Sequence, residues 1–132
     1  MADVHLIKEI RVETEDRPGM LEEISGALAD NKINIKHIAA YAIEGKAHFM
    51  IVSENNEKAY QALRSKGYVA SEKEVVLLKL ADKVGTLKKV SEKIKAAGIN
   101  LNYLYGTTCA DACDSQLIMS SDDNKRLAQI LG

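Results

Sequence analysis

The chain has 132 residues, 46% of them hydrophobic, which is enough for one ordinary domain or two very small ones. Its formal net charge is -1, and acids and bases are interspersed, which argues against a nucleic-acid surface. No apolar stretch approaches the roughly 20 residues of a membrane helix, and the N-terminus lacks a signal pattern. We therefore expect a cytoplasmic protein that does not associate with membranes.

The first elements in chain order are predicted to be a strand, a helix and a hairpin. Apolar residues alternate in LIKEIRV (6–12), which favours a strand, and those of 20–28 fall at helical spacing. INIKHIAAYAI (33–43) returns as a strand, Glu44-Gly45 forms a turn, and KAHFMIVS (46–53) pairs back. This hairpin is expected to bring His37 and His48 face to face as strand neighbours.

The later elements repeat this order. NNEKAYQALRSKG (55–67) is predicted to be a helix, and YVASEKEVVLLKL (68–80) to be a closing strand followed by a new opening strand. A second helix stripe begins at Leu87, GINLNYLYG (98–106) alternates as a strand, and residues 115–131 complete a strand and a helix. Each half thus has the order β-α-β-β-α.

The chain also matches itself at a fixed offset of 66 residues. The matched pairs are Asp16 with Asp82, Gly19 with Gly85, Leu21 with Leu87, Asn34 with Asn100, and Ile35 with Leu101. Identities and conservative pairs continue over about 20 positions, which indicates an internal duplication. We expect two domains, at residues 1–72 and 73–132.

The predicted fold class is α+β, with two tandem ferredoxin-like βαββαβ domains. Each would have an antiparallel sheet with helices on one face. The second half reaches Gly132 without a fourth strand, so the last strand of that copy is expected to be missing or displaced. Such a gap would leave a sheet edge with which a partner chain could pair.

The repeated strand–helix junction suggests a binding site for a small zwitterion. The first N–H groups of a helix lack internal partners and attract carboxylates, and a glycine lets a ligand approach the backbone. The paired aspartates could bind the amine of the same ligand, and the paired asparagines are expected beside the junction. Helix capping by the aspartates and simple turn geometry at the glycines remain an alternative.

Two segments carry a resemblance to a known family. EDRPGMLEEISGALADNKINI (15–35) resembles the start of an ACT domain, a small regulatory amino-acid-binding module. LADKVGTLKKVSEKIKAAGINL (80–101) resembles it again, with Val84 at the usual proline position. Lys32 departs from the family by replacing a glycine. The likeness covers essentially the whole chain as two copies.

The resemblance implies a βαββαβ fold and a ligand bound where two ACT domains meet, at the β1–α1 loop and the start of β2. The first set of implied ligand-binding residues is Asp16, Arg17, Gly19, Met20, Leu21, Asn34 and Ile35. The second set is Asp82, Gly85, Thr86, Leu87, Asn100 and Leu101.

We therefore predict a non-enzymatic regulatory protein that binds an amino acid or similar zwitterion, forms a homodimer and acts on a partner enzyme or regulator. The alternative is an oligomerising protein-interaction module without a ligand. No catalytic residues, cofactor or metal site are predicted. Cys109 and Cys113 have a C-x₃-C spacing that favours a turn over a zinc site, with a redox pair left open.

Overall fold

The computed structural model describes residues 3–108 and 114–132. Cys109 and Cys113, and the prediction of a turn or redox pair there, lie outside the described residues. The chain divides into two compact units. The first unit is Lys8–Lys73, and the second is formed by the described residues of Met1–Ile7 and Glu74–Gly132.

Six strands and four helices occur in the described part of the chain. In chain order they are β1 (Asp3–Glu15), α1 (Met20–Asp30), β2 (Ile35–Ile43), β3 (Lys46–Ser53), α2 (Asn56–Ser65), β4 (Val69–Leu80), α3 (Thr86–Ala96), β5 (Leu101–Thr107), β6 (Ser115–Ser121) and α4 (Asn124–Leu131). The pairs β1–β3, β2–β3, β4–β6 and β5–β6 are antiparallel, so the predicted α+β class with antiparallel pairing is confirmed.

The first unit has the strand order β2-β3-β1-β4. Alternate residues of β1 and β3 point toward α1 and α2, because successive side chains of a strand face opposite sides. Ile10, Ile24, Ile51 and Leu63 are fully buried in the resulting core. The order and the one-sided helices match a ferredoxin-like unit.

The second unit has the strand order β1-β4-β6-β5. The N-terminal residues of β1 occupy the fourth strand position of this unit. From the sequence, no strand was predicted for that position after α4. Val4 packs against the core that contains Val76, Leu78 and Leu127. The sequence did not indicate this pairing, because the pairing of segments far apart in the chain leaves no local signal.

The first hairpin has a register different from the one expected for its histidines. His48 lies opposite Tyr41, and their ring centroids are 5.0 Å apart in a stacked arrangement. His37 lies opposite Val52, after an irregularity between Ile35 and His37. The prediction that His37 faces His48 was therefore wrong. The Glu44-Gly45 turn pairs Ile43 with Lys46, and counting outward from that pair already places His48 opposite Tyr41.

No helix in the described ranges is both long enough and apolar enough to cross a membrane.

Candidate functional site

The two strand–helix junctions adopt the same backbone conformation. We call residues 16–19 loop 1 and residues 82–85 loop 2. Gly19 precedes α1 with φ 89° and ψ -4°, and Gly85 precedes α3 with φ 89° and ψ -9°. These angles are left-handed, which only glycine adopts at little cost. A Cβ at either position would meet no atom within 4 Å, so backbone conformation, not crowding, requires the glycine.

Neither junction is capped by a side chain. No side-chain oxygen accepts a hydrogen bond at the start of α1 or α3. In contrast, Asn55 accepts from the Lys58 N–H at α2, and Asp123 accepts from the Arg126 N–H at α4. Helix capping therefore does not explain why each loop contains an aspartate.

Free N–H groups remain in the first turn of both helices. At α1, the Met20 N–H donates to the Arg17 carbonyl and the Glu23 N–H to the Gly19 carbonyl. In the described residues, the N–H groups of Leu21 and Glu22 have no acceptor, and the same holds at the matched positions of α3. Each helix thus presents two open donors at the positive end of its dipole.

Arg17 holds loop 1 against the first turn of α1. Its Nε lies 2.9 Å from Oε1 of Glu15, and its Nη2 lies 2.7 Å from Oε2 of Glu23. The Tyr68 hydroxyl donates to Oε1 of Glu23 at 3.0 Å. The guanidinium of Arg17 is therefore shared between two carboxylates of its own unit.

These contacts shift the pKa values of the groups involved. The hydrogen bond from Arg17, followed by that from Tyr68, lowers the pKa of Glu23. The hydrogen bonds to Glu23 and Glu15 raise the pKa of Arg17. Burial and the hydrogen bond to Glu23 raise the pKa of the Tyr68 hydroxyl. At neutral pH, Glu23 and Arg17 are thus both charged.

Loop 2 is held differently. The Thr108 hydroxyl donates to Oδ2 of Asp82 at 2.7 Å, and the Thr86 hydroxyl donates to the Lys83 carbonyl at 2.9 Å. Lys83 occupies the position that matches Arg17, and Lys89 matches Glu23, so the ion-pair arrangement of loop 1 is not repeated. The Asp16 carboxylate has no partner among the described residues, whereas Asp82 has one.

The predicted site residues differ in exposure. Asp16, Arg17, Gly19 and their matched residues Asp82 and Gly85 are exposed. The side chains of Leu21 and Leu87 are 58% and 48% exposed and could cover an apolar part of a ligand. Met20 is only 5% exposed and packs in the first core, so its side chain supports the loop from below.

The asparagines do not lie beside the loops of their own units, contrary to the sequence-based expectation. Asp16 follows Glu15, which pairs with Lys46, and Lys46 also pairs with Ile43 at the far end of β2. The start of β2 is therefore about 26 Å from loop 1 along the strand. The reason is that α1 carries the chain back to the opposite end of the sheet.

The same separation holds in the second unit. Leu80, just before loop 2, pairs with Ser115, whereas Leu101 pairs with Ser121 at the opposite end of β6. Leu101 and Ile35 also pack against the cores of their units. Within one unit, the structure brings together the loop residues but not Asn34, Ile35, Asn100 or Leu101.

A cavity of about 370 Å³ lies beside loop 1. Its lining residues are Glu13, Thr14, Glu15, Gly45, Lys46 and Val69. The Asp16 N–H donates to the Gly45 carbonyl at 3.0 Å, which ties the loop to the hairpin. The Lys46 Nζ lies 2.8 Å from Oε1 of Glu13 and lowers the pKa of that carboxyl. These residues come from β1, the β2–β3 turn and the start of β4, which only the folded sheet brings together.

No group of three or more His, Cys, Asp or Glu side chains within 3–108 and 114–132 is arranged to hold a metal ion.

The comparison with protein families finds a match within the first unit. Residues 8–65 match the family model described as the ACT domain. This match confirms the resemblance for the first copy. No curated protein sequence matches the chain.

Several solved structures share the fold. A protein from Bacteroides thetaiotaomicron superposes with a TM-score of 0.89 at 20% identity, over 97% of this chain and 88% of its own. The ligand-free regulatory subunit of aspartate kinase from Thermus thermophilus gives 0.64 at 15% identity, over 97% and 93%. E. coli aspartokinase III, in complex with aspartate and ADP, gives 0.61 at 14% identity, over 98% and 32%. At these identities the likeness concerns the fold alone.

Proposed function

We propose that this chain, in which residues 8–65 form an ACT domain, is a non-enzymatic regulatory protein that binds an amino acid or similar small zwitterion. The ACT domain is a regulatory module, and two of the structures with the same fold are regulatory subunits of aspartate kinases from Thermus thermophilus and Thermus flavus. The second unit is proposed to be a second ACT-like domain.

The observation that carries the proposal is an uncapped helix start next to an aspartate, present twice. Two open N–H groups at α1 suit a ligand carboxylate, and the unpartnered Asp16 carboxylate suits its amine. Helices α2 and α4 of the same chain use Asn55 and Asp123 as ordinary caps. The contrast supports a role for the loops other than helix stability.

The ligand is proposed to lie where two ACT-like domains meet. A single amino acid cannot span the roughly 26 Å between loop 1 and the start of β2 in the same unit. A ligand that contacts both Asp16 and an asparagine such as Asn34 therefore needs residues from two different units. We expect a homodimer to supply such pairs.

The ligand signal would then pass to a partner enzyme or regulator. A ligand shifts a conformational equilibrium only if it binds one state more tightly than the other. A ligand that contacts two domains binds one state more tightly than the other, because only in that state do both domains contribute contacts.

The second candidate function is an oligomerising module without a ligand. It is favoured by exposed apolar side chains on β2, which is the edge strand of the first unit: Ile38, Tyr41 and Ile43 are 41%, 53% and 56% exposed. Exposed apolar edges of this kind are typical of sites for association.

Thermal unfolding in the presence of each common amino acid tests the proposal. A ligand at about 100 times its dissociation constant adds about 2.7 kcal/mol to the free energy of unfolding. Asp16→Ala should remove the gain at loop 1 and leave the unliganded melting temperature nearly unchanged. Asp82→Ala should remove the gain at loop 2 and also lose the hydrogen bond from Thr108. The control Asn55→Ala should lose about 1 kcal/mol of stability through its cap and keep the ligand gain.

The opposite pattern would contradict the proposal. If no amino acid raises the melting temperature of the wild-type chain, the oligomerising module is the better account.

A further inference from the structure

Strand β2 forms an open edge of the first unit. It stands first in the strand order, with β3 as its neighbour, so its outer side faces no other strand of residues 3–108 and 114–132. The outward N–H and C=O groups of such an edge are available to another strand. From His37 to Ile43 the register with β3 has no break, which leaves seven consecutive residues extended for pairing.

This edge lacks the usual features that prevent strands from associating. β2 contains no proline, and Lys36 is its single charged residue. Its irregularity lies before His37 and leaves the later residues regularly paired with β3. The side chains of Tyr41 and Ile43 are more than half exposed. A strand with these properties is a template for a further strand.

Apolar side chains are exposed on both faces of β2. Side chains directly opposite each other on neighbouring strands share a face. Ile38 lies opposite Ile51, which belongs to the core under the helices, so Ile38 is on the helix face. Tyr41 and Ile43 lie an odd number of residues further along and are therefore on the other face. A partner on one face would leave the other face exposed, whereas a strand added at the edge covers side chains on both.

The sequence of β2 fits an antiparallel copy of itself. With a two-fold axis through Ala40 and perpendicular to the sheet, each residue before Ala40 lies opposite the residue equally far after it. Ile38 then lies opposite Ala42 of the partner subunit, and Tyr41 lies opposite Ala39 of the partner subunit. Each large side chain thus meets a small one on the same face.

Charge complementarity favours the same register. Lys36 lies four residues before Ala40, and Glu44 lies four residues after it. Each lysine therefore comes opposite a glutamate of the other copy, and the contact occurs twice by symmetry. Within the described ranges, neither Lys36 nor Glu44 makes an ion pair.

The neighbouring registers lose this complementarity. An axis through Ala39 would place Lys36 opposite Ala42, which removes the charge pair. An axis through Tyr41 would place Lys36 opposite Lys46, which brings like charges together. These are the next two registers that keep the faces of both sheets in line.

The matched edge of the second unit is less suited to pairing. β5 stands last in the strand order, and its residue Leu104, which matches Ile38, is equally exposed at 41%. The two tyrosines of β5 are partly buried, and no residue of Leu101–Thr107 is charged. β5 therefore has fewer exposed apolar side chains than β2 and no charge pair to fix a register.

We propose that β2 of one chain pairs antiparallel with β2 of a second copy of this chain, about a two-fold axis at Ala40. The pairing joins two first units edge to edge, and it closes because both copies use the same strand. It needs no amino acid, so it stands or fails independently of ligand binding. A contact between two strand edges lies at the small end of protein interfaces, so the dimer should dissociate on dilution.

Sedimentation equilibrium of the unliganded full chain at several concentrations tests the pairing. The wild type should form a dimer. Ile38→Lys should weaken this dimer about tenfold or more, because a lysine at a sheet edge opposes strand addition. Leu104→Lys, the same change at the matched position of β5, is the control and should leave the dimer affinity unchanged. Circular dichroism of each variant checks that it folds.

Charge exchange tests the register. Lys36→Glu and Glu44→Lys should each weaken the dimer about fivefold, because two symmetric contacts become like-charged. The double variant should regain the wild-type affinity, since opposite charges again face each other. High salt should reduce the differences among these variants.

The results that overturn the inference are specific. A wild-type chain that stays monomeric at every concentration overturns the interface. An Ile38→Lys dimer as stable as that of Leu104→Lys also overturns the use of β2. If the double charge variant does not recover, the register at Ala40 is wrong and the proposal fails in that form.

Discussion

At the scale of single residues, the left-handed glycines define the loops. Gly19 needs its positive φ to turn β1 into α1 with the first N–H groups exposed. Because a Cβ at this position would meet no atom, replacement by alanine strains the backbone without a steric clash elsewhere. The cost of such a substitution therefore measures the conformation of the loop alone.

Gly19→Ala should lower the free energy of unfolding by about 1–2 kcal/mol, because alanine disfavours left-handed φ. Gly26 lies within α1, has no positive φ and has no atom within 4 Å of its Cβ position. Gly26→Ala should raise stability by about 1 kcal/mol through helix propensity. Urea unfolding of both variants measures these opposite changes in the free energy of unfolding. Equal changes in the two variants would contradict the left-handed conformation of Gly19.

The ion pairs of Arg17 predict a pH dependence. The pKa of Glu23 is lower in the folded chain than its ordinary value near 4.5, because Arg17 and Tyr68 donate to its carboxylate. Its contribution to stability is therefore present above that value and is lost as the pH falls through the lower, folded-state pKa.

Melting temperatures between about pH 6 and pH 3 measure this contribution. The fall in melting temperature on acidification should be smaller in Glu23→Gln than in the wild type, because the variant has no carboxylate to protonate at this position. Glu22→Gln, at an acid without an ion pair in the described residues, should keep more of the wild-type profile. Identical profiles for the wild type and Glu23→Gln would rule out the Arg17 contact in solution.

At the scale of elements, β1 serves both units. Residues Asp3–Glu15 form one strand, yet its first residues cluster with Glu74–Gly132 and the rest with the first unit. Val4 contributes a partly buried side chain to the second core. The N-terminal segment thereby contributes a strand and an apolar side chain to the second unit.

Val4→Ala should destabilise the second unit by about 1 kcal/mol through lost apolar burial. Hydrogen exchange should accelerate in β6 and α4 and stay unchanged in α1 and β3. His5→Ala, at the exposed neighbouring position, is the control and should change neither unit. Faster exchange confined to the first unit in Val4→Ala would contradict the assignment of this segment.

Elements were more predictable from the sequence than their contacts. The helical stripe of 20–28, the hairpin at Glu44-Gly45 and the offset of 66 residues all follow local periodicity, and the structure contains the corresponding helices and strands. The place of residues 3–7 was not predictable, because strand pairing between distant segments has no local signal. Asn34 lies away from loop 1 because α1 carries the chain back to the opposite end of the sheet, and no local pattern marks that direction.

The candidate site was predictable only in its loop residues. Asp16, Gly19 and their matched residues stand out because they recur at a fixed offset. The sharing of Arg17 by Glu15 and Glu23, the bond from Thr108 to Asp82 and the cavity lined by Val69 depend on three-dimensional placement. No periodicity marks such contacts.

At the scale of the whole molecule, we propose that two uncapped helix starts, each next to an aspartate, bind the charged ends of an amino acid. Titration of the ¹⁵N-labelled chain with a mixture of amino acids, followed by backbone amide shifts, tests it most directly. Saturable shifts are expected at residues 16–22 and 82–88, with further shifts near Asn34 and Asn100. Unchanged loop amides, or shifts confined to α2 and α4, would contradict it.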